Sequence, residues 1–344
     1  MTNLVISTVC NRHCAYCFAQ DHLAPQGVAP GAGGDGRFLP LGGLQARLDF
    51  LDRSGMDVAR LLGGEPTLHP HFGEVVARAR AAGKALTVFS NGLMPPRALS
   101  CLVSLPAGAC SVLVNVNEPD GEQQGSRGGN GRGYARQREV LRRLGQRAWI
   151  GFNIHRTDFQ PGFLLDLVAE TGCRPAIRLS MAQPSLSGTN RYIHPNQYRA
   201  VAVKIVAFAR AAAAAGVRLE FDCGFVRCMF SKDDLALLES AEANVGWRCN
   251  PILDVDIEGR VLHCYPLARL GTLPLTAEAT APALRAAFEA RTRPYRLAGV
   301  FGECSRCTFK AEGVCTGGCL ATTIRRFHHA PFRLEMPVVG EGPG

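Results

Sequence analysis

The chain has 344 residues, 47% of them hydrophobic and 19% charged, and Lys plus Arg exceed Asp plus Glu by 38 − 29 = +9. This composition suits a globular protein and excludes disordered and fibrous classes. Its longest apolar stretch, 201–217, is interrupted by Lys204 and Arg210, so no membrane crossing is expected. The N-terminus has neither the basic segment nor the long apolar run of a secretory signal, which makes cytoplasmic location the expectation. The basic excess could favour an acidic peptide, phosphate groups or nucleic acid. Because Lys and Arg are scattered without interleaved aromatics, a solvated basic surface is expected and nucleic acid is not.

From Leu4 to Asp222, short β-rich runs alternate with longer helical ones, the pattern of β-α units around a parallel sheet. In chain order the strands are expected at 4–9, 58–62, 85–90, 111–117, 149–154, 176–180 and 217–222. Helices are expected between them at 41–53, 71–82, 96–104, 134–146, 162–171 and 196–215. Such crossovers build a curved sheet, a partial (β/α)6 TIM-like barrel, with ligands at the carboxyl ends of the strands. Two Gly-rich stretches, 24–36 and 120–133, interrupt the rhythm and read as solvent loops, with a lid over a substrate as the alternative. Beyond Asp222 the rhythm stops, cysteines become frequent and helices are expected to shorten. The division expected is 1–222 for the barrel, 223–329 for a cysteine-rich domain and 330–344 for a tail.

Fourteen cysteines in a cytosolic chain point to metal binding or redox chemistry before disulfides. Cys10, Cys14 and Cys17 follow the first strand directly. Three thiolates on one tight loop can wrap a single centre. Structural zinc wants a fourth protein ligand, whereas an iron–sulfur cluster can accept three and leave one iron open.

That triple, with Tyr16 just before the third cysteine, resembles the signature of the radical S-adenosylmethionine (SAM) superfamily. Gly63-Gly64-Glu65-Pro66, after the second strand, resembles the motif with which that family binds the amine of SAM. The resemblance implies that the three cysteines hold a 4Fe-4S cluster chelated by SAM, and that SAM is split reductively to a deoxyadenosyl radical that abstracts a substrate hydrogen. Glycines would admit backbone carbonyls close to an ammonium, and Glu65 would supply opposite charge. Further cofactor contacts are expected from Ser90 and Asn91 after the third strand, Asn115 and Asn117 at the end of the fourth, Asn153 on the fifth and Arg178 on the sixth. Polar residues that merely terminate strands are the competing reading. His69 is expected to position a helix start rather than to bind metal.

Eight cysteines form a second constellation. Residues 252–264 read as a β-hairpin turning at Glu258-Gly259, which would bring Cys249 and Cys264 together. With Cys304, Cys307, Cys315 and Cys319, the pattern is similar to the SPASM (or twitch-like) extension of radical SAM enzymes, which carries auxiliary iron–sulfur clusters. The likeness implies a first auxiliary cluster on Cys249, Cys264, Cys319 and either Cys223 or Cys228. A second would use Cys304, Cys307 and Cys315, with its fourth ligand open among His328, His329, Cys228 or none. A zinc knuckle on Cys304, Cys307, Cys315 and Cys319 is the alternative. Cys101, Cys110 and Cys173 read as small buried hydrophobes.

The function implied is oxidative modification of a peptide or protein side chain, by cross-linking or dehydrogenation. The alternatives are dehydrogenation or epimerisation of a small molecule such as a sugar or antibiotic precursor, and a zinc-stabilised nucleic-acid-binding or adaptor protein. The implied partners are an external one-electron reductant such as flavodoxin or ferredoxin and a separate peptide-recognition protein. No catalytic base is assignable; Asp222, Asp254 and Tyr265 are candidates.

Overall fold

The computed structural model describes residues 1–24, 37–119, 132–186 and 190–327. Most of both Gly-rich stretches, His328, His329 and the tail at 330–344 lie outside the described residues.

Strand β1 (Thr2–Ser7), buried along its whole length, is followed by helix α1 (Leu41–Arg53). Then come β2 (Val58–Gly63), α2 (Phe72–Ala81), β3 (Ala85–Ser90), α3 (Pro96–Val103), β4 (Cys110–Asn115) and α4 (Arg132–Leu144). The series continues with β5 (Ala148–Ile154), α5 (Phe163–Thr171), β6 (Ala176–Met181), α6 (Tyr198–Ala214) and β7 (Arg218–Phe221). These elements bear out the α/β expectation, with boundaries moved by at most two residues, the usual uncertainty of element ends. β4 stops at Asn115, so Asn117 stands in the following loop rather than on the strand.

Strands β1 to β7 pair in parallel and in sequence order. Apolar faces of the intervening helices bury a single core against them, with Phe50, Phe72 and Tyr198 among the fully enclosed side chains. The sheet curls. In a flat sheet, strands three places apart stand about 14 Å apart, yet the Arg178 guanidinium on β6 lies 5.9 Å from the centre of the Phe89 ring on β3.

The cysteine-rich half contains α7 (Lys232–Ser240), β8 (Leu253–Val255), β9 (Arg260–Leu262), β10 (Leu273–Pro274) and α8 (Ala281–Ala298), then α9 (Thr308–Ala311) and α10 (Leu320–Phe327). The expected hairpin is present as antiparallel β8 and β9, with Gly259 at φ +82° in its turn. β8 also pairs in parallel with β1, Asn3 opposite Asp254, so the hairpin continues the barrel sheet across the division expected at residue 222. The shortening of helices does not hold throughout: α8 has 18 residues. The side chain of Thr280 caps it, and Pro282 sits in its first turn, where no intrahelical N–H is required.

Candidate active site at the carboxyl ends of the strands

The loop after β1 carries Cys10, Cys14 and Cys17, and the amide of Cys17 donates to the Cys14 carbonyl at 3.0 Å, closing a tight turn. The Gly63–Pro66 segment is laced to that loop: Gly64 N–H donates to Ser7 O at 2.8 Å and Glu65 N–H to Val9 O at 2.7 Å. Both glycines are needed for this approach. A Cβ on Gly63, whose φ is +151°, would stand 2.0 Å from Ser7 O, and one on Gly64 2.4 Å from Val9 O.

Strand ends β3, β4 and β5 converge on the same loop. Asn91 Nδ2 lies 3.8 Å from Cys10 Sγ, and Asn117 Nδ2 lies 3.8 Å from Cys14 Sγ. The Tyr16 hydroxyl donates to Asn117 Oδ1 at 2.5 Å and accepts from Asn115 Nδ2 at 2.8 Å, while Asn153 Nδ2 donates to Asn115 Oδ1 at 2.8 Å. Tyr16, Asn115, Asn117 and Asn153 thus form one hydrogen-bonded cluster beside Cys14, and Asn91 stands beside Cys10. Burial pushes the Cys10 thiol up to about 11 and that of Cys17 up to about 12.

Glu65 is fully buried and turned into protein donors. Its carboxylate accepts from Thr67 N–H at 3.2 Å, Thr67 Oγ1 at 2.5 Å, Ser90 Oγ at 3.0 Å and Asn91 N–H at 2.7 Å. Burial raises its carboxyl above the usual range against the pull of those hydrogen bonds. Ser90 therefore joins the ends of β2 and β3 through Glu65. His69 is buried, its Nε2 2.9 Å from Leu39 O and its Nδ1 accepting from His71 N–H, which matches its expected positioning role.

Arg178 pairs with Asp222 at 2.5 Å, and Ser180 Oγ also donates to Asp222. The Arg60 guanidinium sits 4.9 Å from the Phe89 ring, so two cations flank one aromatic on the barrel's inner face. Asp254 accepts from Asn3 Nδ2 at 2.7 Å and from Tyr265 N–H at 3.1 Å, and burial pushes its carboxyl up to about 7. Tyr265 is buried against the cysteine loop, its ring 6.3 Å from that of Phe18. Of the three catalytic candidates, Asp222 is ion-paired, Asp254 is held by two donors and Tyr265 is packed.

Two residues that support the site escape sequence reading. Gln137 of α4, fully buried, donates to the carbonyls of Asn91 at 2.6 Å and Asn115 at 3.1 Å, clamping the ends of β3 and β4. Asn190 donates to the Tyr16 carbonyl at 3.1 Å and so anchors the cysteine loop from the β6 side. Gln137 leaves one signal, an amide on the apolar face of a helix; Asn190 leaves none.

The C-terminal thiols fall into two neighbourhoods. Cys249 interacts with Cys319, and Cys264 interacts electrostatically with Cys223 and Cys249. Cys223 lies two residues past β7 and Cys264 two past β9, so the curl brings strands from opposite sides of the sheet together. Cys228 instead interacts with Cys304, Cys315 and Cys307. Among the described residues, no group of His, Cys, Asp or Glu is disposed to hold a single metal ion. Cys110 and Cys173 are buried as expected, and Cys101 is half-buried against the core.

Residues 4–171 match the family model of the Radical SAM superfamily. That match covers 168 of the 344 residues, the part of the barrel that carries the three-cysteine loop and the Gly63–Pro66 segment. Among curated proteins, the chain is 32% identical over 122 residues to the GTP 3',8-cyclase of Edwardsiella ictaluri, covering 35% of each protein. It is also 36% identical over 103 residues to an S-adenosylmethionine-dependent nucleotide dehydratase of Selenomonas ruminantium, covering 27% of this chain and 33% of that protein. The chain thus spans about a third of the length of these relatives. Among solved structures, Streptococcus suis SuiB superposes with a TM-score of 0.61 at 14% identity, over 97% of this chain and 76% of SuiB. Native anSMEcpe with bound AdoMet and the Kp18Cys peptide superposes with a TM-score of 0.64 at 16% identity, over 92% of this chain and 88% of the other. These structural likenesses establish the fold. No helix among the described residues is long and apolar enough to cross a membrane.

Proposed function

We propose that the protein binds a 4Fe-4S cluster on Cys10, Cys14 and Cys17 together with SAM, and oxidatively modifies a side chain of a peptide or protein. The residues fit that cofactor pair. Three thiols share one loop, the glycines at 63 and 64 let the Gly63–Pro66 segment lie directly on the backbone of that loop, and amides of Asn91 and Asn117 border two of the sulfurs. A cluster held by Cys10, Cys14 and Cys17 would supply the electron for SAM cleavage, and the C-terminal cysteines would hold a group able to take one from the substrate.

The protein's own groups then hold and orient. Glu65 and Ser90 fix the Gly63–Pro66 segment against Asn91, and the Asn115, Asn117 and Asn153 amides offer hydrogen-bonding edges to the hydroxyls of an adenosyl group. Tyr16 locks two of those amides to the cysteine loop. The observation that carries the peptide reading is the hairpin docked on β1, which brings Cys249 and Cys264 alongside the barrel. SuiB has been captured with its precursor peptide SuiA and anSMEcpe with a peptide, and both likenesses extend through this C-terminal region.

Small-molecule modification is a second reading, favoured by one observation. Arg60 and Arg178 on the inner face suit an anionic substrate, and the curated relatives act on nucleotides by name. Anaerobic reconstitution followed by dithionite and SAM tests the shared chemistry through deoxyadenosine and methionine. Candidate precursor peptides and GTP are then offered in parallel. Loss of two hydrogens from a peptide supports the first reading, and conversion of GTP with untouched peptides transfers the assignment to the second.

A further inference from the structure

Cys223 and Cys228 are close in sequence, yet the chain parts them. Cys223 O accepts from Met181 N–H at 3.0 Å, which ties it to the end of β6. Gly224, at φ +101°, then turns the backbone where a Cβ would stand 2.2 Å from Gln183 Nε2, so the reversal depends on glycine. Beyond that turn the segment packs on the 299–318 loop. The Arg227 guanidinium lies 4.4 Å from the Phe309 ring centre, and Gly318 is so close to Val226 that a Cβ would come within 3.0 Å of its Cγ1.

This loop already gathers three thiols. Cys307 N–H donates to the Cys304 carbonyl at 3.4 Å, a looser form of the turn that joins Cys14 and Cys17. Gly299, at φ +77°, lies beneath Cys304, where a Cβ would be 2.8 Å from its sulfur, and Cys315 Sγ accepts from Gly317 N–H at 3.3 Å. Cys228 faces this set, with Cys304, Cys315 and Cys307 all within its electrostatic reach. Tyr198, buried, is within reach of Cys319 on one side and of Cys228 and Cys304 on the other, so it stands between the two neighbourhoods.

We infer that Cys228 completes a four-thiolate site with Cys304, Cys307 and Cys315, separate from a set formed by Cys223, Cys249, Cys264 and Cys319. The inference rests on the iron–sulfur reading of the C-terminal cysteines. The site takes a second auxiliary 4Fe-4S cluster with every iron held by protein, so no ligand beyond Cys319 is required. Four thiolates on one zinc ion at about 2.3 Å must crowd together. Each thiolate of a cubane binds a different iron and needs more room, as the absence of any single-ion arrangement among the described residues allows.

The test is thiol protection in the reconstituted full-length protein. Cys228 is exposed, so iodoacetamide should label it in protein prepared without iron, and peptide mass spectrometry reads the label. After loading to about 12 irons per chain, labelling at Cys228 should vanish together with that at Cys304, Cys307 and Cys315. Cys228→Ala should then either lose about four irons or keep them with an altered electron paramagnetic resonance signal of the second cluster. Unchanged labelling of Cys228 in the fully loaded protein overturns the inference, as does zinc without sulfide at these cysteines. A wrong radical SAM reading shows itself separately, as absent deoxyadenosine in the unaltered protein however Cys228 labels.

Discussion

The hydroxyl of Tyr16 donates to Asn117 Oδ1 across 2.5 Å, joining the loop of the three cysteines to the chain just past β4. Through Asn115 the same hydroxyl reaches Asn153 on β5. Tyr16→Phe should keep the ring contact with His155, whose centroid is 4.8 Å away, and lose both hydrogen bonds. SAM affinity should fall about 3- to 10-fold, the equivalent of one ordinary hydrogen bond, while iron content stays constant. Equilibrium dialysis with labelled SAM checks this.

Replacing Cys10, Cys14 or Cys17 with Ala should abolish deoxyadenosine formation under dithionite and leave the C-terminal iron in place. The thiols on the β1 loop and those at the C-terminal end are held by different elements, so neither set requires the other. Retained SAM cleavage in any one of these variants removes the assignment of that cysteine.

Glu65→Gln presents an amide NH2 to donors that now meet a carboxylate. At least one of the Ser90, Asn91 and Thr67 donors loses its acceptor inside the protein, a cost of about 1 to 3 kcal/mol. Thermal unfolding should shift downward, and SAM binding should weaken because Asn91 loses its anchor. Ser90→Ala should do the same more mildly, since Asn91 N–H keeps its bond to Glu65.

Gly64→Ala forces a methyl to 2.4 Å from Val9 O. The β1 loop must move, which costs about 1 to 3 kcal/mol, and occupancy of the first cluster should fall. Iron analysis in a background lacking Cys249, Cys264, Cys304 and Cys307 reads this directly.

Asp254 gives stability a pH dependence of defined sign. Its folded carboxyl is raised from 3.8 to about 7 by burial, so the folded chain holds a proton that the unfolded chain releases. Its contribution is fully present below about pH 4 and is lost as pH rises through about 7, a change on the order of 4 kcal/mol. Asp254→Asn should flatten the change in melting temperature between pH 5 and pH 8. An unchanged slope would mean that the carboxyl titrates normally.

Replacing Cys264 should spare SAM cleavage in the absence of substrate and stop turnover of the true substrate. Circular dichroism and the iron of the first cluster must be intact for that outcome to bear on electron transfer. Normal product from a folded Cys264→Ala protein lacking its auxiliary cluster would make the C-terminal thiolate sites structural only.

Local chemistry in the sequence determined much of this protein. The spacing of Cys10, Cys14 and Cys17, the glycines at 63 and 64, the alternating strands and helices of the first half and the turn at Gly259 each depend on neighbouring residues, so each is legible from the chain. Helix α8 was not read, because its start rests on one cap and one proline at the edge of a cysteine-rich region. Tertiary structure decided what depends on return paths through space. Cys223 and Cys228 have similar local surroundings in sequence, and which thiols each meets is fixed by the reversal at Gly224 and by the curl that brings Cys264 to the end of β7. Glu65 likewise reads as a free charge in its motif, but its acceptors are filled by donors of β3 that only the folded sheet places there. The pairing of β8 with β1 joins residues 253 and 2, and no local pattern encodes a contact across that separation.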